Sequence, residues 1–153
     1  MTATTTAARR YWRAVAVAGL LAAAREARAQ FFVSGSPAKM TVSAAVAGSA
    51  PTTVSTAGTS YFLLSSPAIG HFAITANINA AMPAGVTLTV ALAASKGTSL
   101  GNVTLNTVAT NVVTGITGTM FGQSIVYTLS ATPAAGVVAV QTRTATFTLI
   151  STP

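Results

Sequence analysis

The side chains that acid–base, nucleophilic or metal chemistry requires are nearly absent from this sequence. Its 153 residues include one histidine, His71, no cysteine and one acidic residue, Glu26. A Ser-His-Asp triad cannot be assembled without an orienting acid, and general acid–base catalysis needs positioned carboxylates or histidines. A Ser-His dyad is the one nucleophilic arrangement left, and a turn position at the start of a strand is the simpler assignment for His71. We therefore expect no enzymatic activity.

Metal and cofactor sites are not expected either. Calcium and magnesium are held by several carboxylate oxygens, and zinc by three or four His, Cys or acidic ligands, which one histidine cannot supply. Copper bound by His71 together with methionine sulfur is conceivable, but isolated methionines in a β-rich chain usually fill the core. The methionines concerned are Met40, Met82 and Met120.

The net charge of +7 does not indicate a nucleic-acid partner, because the charge is concentrated at the N-terminus. Beyond residue 29 only three cations remain, Lys39, Lys96 and Arg143, and there is no Asp or Glu. Three scattered cations do not make the basic patch that neutralises phosphates. The basic residues that precede them are Arg9, Arg10, Arg13, Arg25 and Arg28.

Residues 1–29 have the pattern of a cleavable signal peptide. Arginines precede the apolar stretch 14–24, and Ala27 and Ala29 place small residues at the cleavage site. The stretch is shorter than the roughly 20 residues that span a bilayer. The Arg9-Arg10 pair resembles a twin-arginine leader, so two export routes stay open. We expect a secreted, periplasmic or cell-surface protein with one domain over residues 30–153.

Alternation of apolar and polar residues, interrupted by Gly, Pro, Asn and Ser, predicts strands throughout that domain. Seven to nine strands favour an all-β, immunoglobulin-like antiparallel sandwich, with a single closed sheet as the alternative. Residues 95–101 are predicted to form a loop. The predicted strands cover residues 39–47, 59–65, 71–80, 86–93, 102–105, 108–113, 123–130, 137–140 and 143–151, and a short extended piece at residues 31–34 precedes them.

Surface aromatic side chains are a candidate ligand platform. Tyr61 and Tyr127 are the proposed surface contacts, with Phe62 beside them and asparagines as hydrogen-bonding partners. The alternative is that these aromatic residues lie in the core, where they supply most of the buried area. The asparagines are Asn77, Asn79 and Asn102.

The layout resembles secreted pilin-like sandwiches, in particular archaic chaperone-usher pilins and spore-coat-U-like proteins. The resemblance lies in the leader, the apolar segment Gln30-Phe31-Phe32-Val33, the strands rich in Thr, Ala and Gly, and a last strand at residues 143–150. It implies an assembly chaperone and self-association by strand donation, in which an extension of one copy completes a sheet of the next.

Two segments are candidate donor strands: Phe31 with Val33, or Met40 with Val42 and Val46. The alternative is that they form ordinary strands of their own domain. We expect a non-enzymatic structural subunit of a cell-surface filament, pilus or coat. The alternative function is a monomeric, secreted adhesive or carbohydrate-binding module.

Overall fold

The computed structural model describes residues 29–42, 53–65 and 70–153. Over these residues the chain forms nine β-strands and one short 3-10 turn at Pro133–Ala135. The strands make two antiparallel sheets that enclose a shared core. The predicted antiparallel β-sandwich is therefore confirmed. Of the predicted leader, only Ala29 lies within the described residues.

Most of the longer strands follow the apolar–polar alternation of the sequence, because their side chains point alternately toward the core and toward solvent. In chain order they are β1 (Gln30–Gly35), β2 (Val54–Leu64), β3 (His71–Ile78), β4 (Val86–Leu92), β5 (Thr98–Ser99), β6 (Val103–Thr104), β7 (Thr110–Ile116), β8 (Met120–Ala131) and β9 (Ala145–Thr152).

On one side of the sandwich both sheets end in long edge strands, and on the opposite side both end in short edge strands. The five-stranded sheet has the order β1-β2-β8-β4-β6, and the four-stranded sheet has the order β5-β7-β3-β9. Because β7 contacts β4 and β6, the edge strand β9 lies on the side of the sandwich that carries β1 and β2. The opposite side ends in β5 and β6, each of only two residues.

One apolar core lies between the sheets. Burying a large aliphatic or aromatic side chain contributes about 1.5 to 3 kcal/mol, so the core holds this cysteine-free domain together. The largest fully buried side chains are Tyr61, Leu63, Ile74, Ile78, Val90, Leu92, Val112, Val113, Ile116, Met120 and Ile125.

Two predicted strands are wrong. Residues 39–42 form no strand, and residues 43–47 of the same prediction lie outside the described residues. Met40 packs against the core from this irregular segment, which explains its apolar character without strand pairing. Residues 137–140 are irregular and exposed. These residues connect β8 of the five-stranded sheet to β9 of the four-stranded sheet. Because they cross between the two sheets, no described strand lies beside them for pairing.

Other differences are smaller. The predicted loop at residues 95–101 contains β5, which pairs with β7. Strand β2 begins at Val54, five residues before the predicted start. Its irregular pairing with β8 between Thr56 and Thr59 interrupts the alternation there, so the sequence pattern shows only the regular end of the strand.

Candidate functional site

The strand β9 is an open edge of the four-stranded sheet. It pairs with β3 along all eight residues, from Ala145 opposite Ile78 to Thr152 opposite His71. Among the described residues no strand pairs with its other side. An edge strand of this kind presents a row of unpaired N–H and C=O groups, which can bind another extended chain.

The register shows which backbone groups face outward. Thr144 accepts a hydrogen bond from the Asn79 N–H at 3.1 Å, so Thr144 and Asn79 form a hydrogen-bonded pair. In an antiparallel ladder such pairs alternate, which makes Thr146, Thr148 and Ile150 the next residues bonded to β3. The backbone groups of the residues between them therefore point to the open side. Those residues are Ala145, Phe147, Leu149 and Ser151.

The outward-facing backbone groups belong mostly to residues whose side chains face the core. Ala145, Phe147 and Leu149 are only partly buried and pack against the core. Their side chains are therefore incompletely covered, and their outward N–H and C=O groups have no partner strand among the described residues. A strand added at this edge would pair with the free backbone groups and would also cover the apolar side chains.

The beginning of β9 is fixed by a polar clasp. Arg143 donates from Nη2 and Nε to the carbonyl oxygen of Ala81, at 2.8 and 3.2 Å, and also to the Gln141 side chain. The backbone N–H of Thr144 donates to Asn79 Oδ1 at 2.9 Å. Asn79 Oδ1 is therefore used in a hydrogen bond within the protein. The clasp therefore ties the start of β9 to the residues that follow β3.

Strand β9 carries none of the common protections of an edge. Natural edge strands are often blocked by lysine, proline, a bulge or an inward-pointing charge. Residues Ala145–Thr152 contain no charged residue and no proline, and their pairing with β3 has no register shift. The nearest such residues are Arg143 and Pro153, beyond the two ends of the strand.

The first candidate donor, Phe31 with Val33, belongs to β1 and pairs with β2 of its own domain. Phe31 is partly buried against Tyr61, with 5.6 Å between ring centroids, and the other residues of β1 are exposed. For this segment the structure therefore shows an ordinary first strand. The second candidate differs: Met40 and Val42 are in an unpaired segment, and Val46 lies outside the described residues.

Tyr61 and Tyr127 are core residues, so the prediction that they are surface ligand contacts is wrong. Tyr61 is 0% exposed and Tyr127 is 6% exposed. Tyr61 also uses its hydroxyl inside the protein, donating to the Ala93 carbonyl oxygen at 2.5 Å. The alternative considered from the sequence, that these aromatic residues lie in the core, is correct for the two tyrosines, whereas Phe62 is only partly buried.

These two tyrosines predict a loss of stability at alkaline pH. Burial raises the pKa of Tyr61 to about 12 and also raises that of Tyr127, above the ordinary value of about 10. Below pH 10 both the folded and unfolded chains hold these protons. As the pH rises from about 10 towards 12, the unfolded chain loses them first, so the free energy of unfolding falls.

The measurement is a pH titration of residues 30–153 by tyrosinate absorbance, with circular dichroism on the same samples. Tyr61 and Tyr127 are the only tyrosines in that range, so the absorbance reports on them alone. We expect both signals to change together above pH 10. Tyrosinate formation near the ordinary pKa in a fully folded protein would contradict the burial of the two rings.

A serine motif that the sequence reasoning missed is Gly97-Thr98-Ser99-Leu100-Gly101, which has the G-x-S-x-G spacing of a nucleophile elbow. That motif requires a strand followed by a helix, whereas Ser99 lies in β5 and Val103–Thr104 form the next strand. Ser99 Oγ accepts the Gly101 N–H at 3.2 Å, as in a local turn.

Ser99 and His71 do not form a dyad. Ser99 is opposite Val113 on β7, and Val113 is opposite Ile74 on β3. His71 is therefore two strands and three residues away, about 10 Å in each direction. No group of three His, Cys, Asp or Glu residues that could hold a metal occurs among the described residues. The methionines contact the core: Met120 is buried, and Met40 and Met82 are partly buried.

No protein-family model, curated protein or solved structure matches this chain. Its class is defined by what the molecule itself presents: a charge-poor antiparallel β-sandwich with a long, unprotected edge strand. Across the described part of the chain, no helix has the length and apolar character needed to cross a membrane.

Proposed function

We propose that this protein is a non-enzymatic structural subunit of a cell-surface filament, pilus or coat, exported by its leader and assembled by strand pairing at β9. The observation that carries the proposal is the coincidence at this edge of unpaired backbone groups with partly covered apolar side chains, Phe147 and Leu149. Backbone hydrogen bonds would hold the added strand, and apolar side chains in the cleft would fix its register.

The composition of the surface supports self-association. Residues 30–153 have three cations and no carboxylate side chain, so copies repel one another weakly. Mean hydropathy of the whole chain is +0.63, and Thr and Ser are its most frequent polar residues. A surface of this kind favours association of like copies over electrostatic recognition of a charged partner.

The donor we favour is the segment that begins at Lys39, with Met40, Val42 and Val46 as its alternating apolar side chains. Its described part, residues 39–42, forms no strand in its own domain, so donation would break no existing strand pairing. Donation also creates a head-to-tail interface, which produces open polymers, whereas antiparallel pairing of two β9 strands produces a closed dimer.

The test begins with purified residues 30–153, studied by size-exclusion chromatography at rising concentration and by negative-stain microscopy. Polymers that grow with concentration are expected. A stable monomer at high concentration would count against a structural subunit, and a dimer that grows no further would identify β9–β9 pairing instead.

Because the chain has no cysteine, introduced thiols report the contact directly. Thr41→Cys with Thr148→Cys is expected to give disulfide-linked ladders between copies. Thr41→Cys with Thr87→Cys is the control, since Thr87 lies on β4, which has strands on both sides. Equal crosslinking in the two pairs would reject specific donation.

The side chains of the donor give a second test. Met40→Ser with Val42→Ser removes two apolar side chains from the donor and should suppress polymers. Because Met40 also packs against the core of its own domain, circular dichroism must show that the variant is still folded. Lys39→Ala is the matched control and should leave polymerisation intact.

A further inference from the structure

A row of three phenylalanines lies on the outer face of the five-stranded sheet. Phe32 is 52% exposed and Phe121 is 65% exposed, although both are large apolar residues. Phe62 lies between Tyr61 and Leu63, both 0% exposed in the core, so its own side chain faces outward. Leu64 is 40% exposed on the same face.

The strand register aligns these side chains across β1, β2 and β8. Phe32 is directly opposite Phe62. On the other side of β2, Tyr61 pairs with Gln123 and Leu63 with Met120, which leaves Phe121 and Gly122 opposite Phe62. Neighbouring strands are about 4.8 Å apart, so the row spans roughly 10 Å from Phe32 to Phe121.

A second row, made of serines, runs parallel to the first. Ser34 is opposite Ser60, and Ser60 is opposite Ser124. Ser34 and Ser60 lie two residues from Phe32 and Phe62 on the same face of the sheet, a separation of about 7 Å along the strands. The face therefore presents an apolar, aromatic strip beside a strip of hydroxyl groups.

We propose that these two rows form a binding platform for a neutral, extended polysaccharide whose sugar rings present flat apolar faces. Sugar rings would lie on Phe32 and Phe121, and sugar hydroxyls would exchange hydrogen bonds with the serine row. One pyranose unit of an extended β-1,4-linked chain is close in length to the strand spacing, so successive units can follow the row across the sheet. This proposal goes beyond the assembly function and uses a different surface.

The charge of this surface favours a neutral ligand. None of the three cations of residues 30–153 lies on β1, β2 or β8. Single-stranded nucleic acids also stack on aromatic side chains, but their binding needs a positively charged groove. An acidic polysaccharide would likewise find no cation on these three strands to pair with.

The size of the strip favours a ligand over a second copy of the chain. The exposed parts of its apolar side chains amount to roughly 300 Å², taking about 200 Å² for a whole aromatic side chain. A stable protein interface buries about 800 Å² on each partner. Hydroxyl groups beside the strip are also better matched to sugar hydroxyls than to another apolar face.

The test uses residues 30–153 at a concentration below that at which polymers form, with microcrystalline cellulose in a pull-down and with cellohexaose in an NMR titration. We expect retention on cellulose, and shifts confined to β1, β2 and β8 with cellohexaose. Phe32→Ala with Phe121→Ala should weaken binding at least about tenfold. Val108→Ala with Val140→Ala is the control: these exposed valines are on loops, and binding should not change.

Two further arms separate sugar recognition from nonspecific adsorption. Ser34→Ala with Ser124→Ala should weaken cellohexaose binding, although the surface becomes more apolar. Maltohexaose, whose α-linked chain is coiled, should bind the wild-type protein less tightly than cellohexaose does. No response to either cellulose or cellohexaose would overturn the proposal. So would a change in oligomeric state of the phenylalanine variant, because the strip would then be an interface between copies.

The outcome is independent of the assembly proposal. Variants of the phenylalanine row should polymerise like the wild type, and variants of the β9 edge should bind sugar like the wild type. If either the assembly proposal or the sugar-binding proposal fails, the other can still be tested.

Discussion

Leu149→Lys in β9 is expected to suppress polymerisation of residues 30–153. In the monomer the lysine can extend from the half-open edge into water, so the domain stays folded and loses about 1 to 2 kcal/mol of apolar packing. In an assembled copy, a strand added beside β9 would cover the ammonium group and remove its water. We expect the concentration at which polymers form to rise at least tenfold, measured by sedimentation.

Ile150→Lys is the matched control for this change. It adds the same charge to the same strand, one residue further on, where the side chain is 38% exposed on the outer face of the sheet. A strand added at the edge leaves that face in water, so polymers should persist. If both lysines block assembly equally, net charge controls association, and pairing at the β9 edge does not.

Gly35→Ala is expected to detach the end of β1 from β2. Gly35 has a φ of +85°, a left-handed conformation that costs a residue with a side chain roughly 1 to 2 kcal/mol. A Cβ atom there would also overlap the carbonyl oxygen of Gly58, which belongs to the backbone of β2 and cannot rotate away. We expect a loss of at least about 2 kcal/mol in unfolding free energy, measured by denaturant titration.

Gly101→Ala separates the two causes. Gly101 has a φ of +70°, but a Cβ atom there meets nothing within 4 Å, so only the conformational cost applies. The Gly35 variant also tests the donor assignment. If β1 were the donated strand, loosening it would speed polymerisation. With β1 as a fixed strand of its own domain, polymerisation should slow or the protein should unfold.

The sequence predicts the strands well where alternation and turn residues agree. In β3 and β4, polar residues alternate with apolar ones and a Pro-Ala-Gly turn separates them, so their bounds are nearly those observed. Alternation is a local property and does not encode which strands are neighbours. The sequence therefore predicts a strand near β9 but cannot show that it lies at an edge.

The wrong predictions also arise because a local sequence pattern does not show what a segment lies beside in the fold. Residues 39–42 and 137–140 have apolar, strand-forming composition, but a strand also needs a partner. The segment at 137–140 has none because it crosses between the sheets. Tyr61 could not be assigned to core or surface by type alone, since tyrosine suits both.

The sequence contains an indication of the outward-facing phenylalanines that the sequence reasoning missed. Adjacent side chains in a strand point to opposite faces, so Phe31 and Phe32 cannot both enter the core. The same holds for Phe62 between Tyr61 and Leu63, and for Phe121 after Met120. Each such pair predicts one outward-facing aromatic residue. Their alignment into one row depends on the register, which only the structure supplies.

The clasp at the start of β9 has a consequence for acid tolerance. Arg143 is held by the carbonyl oxygen of Ala81 and the amide of Gln141, where many proteins would place a carboxylate. Neither acceptor takes up a proton at moderately low pH. Acidification that would break an arginine–aspartate pair therefore leaves these hydrogen bonds at the start of the strand in place.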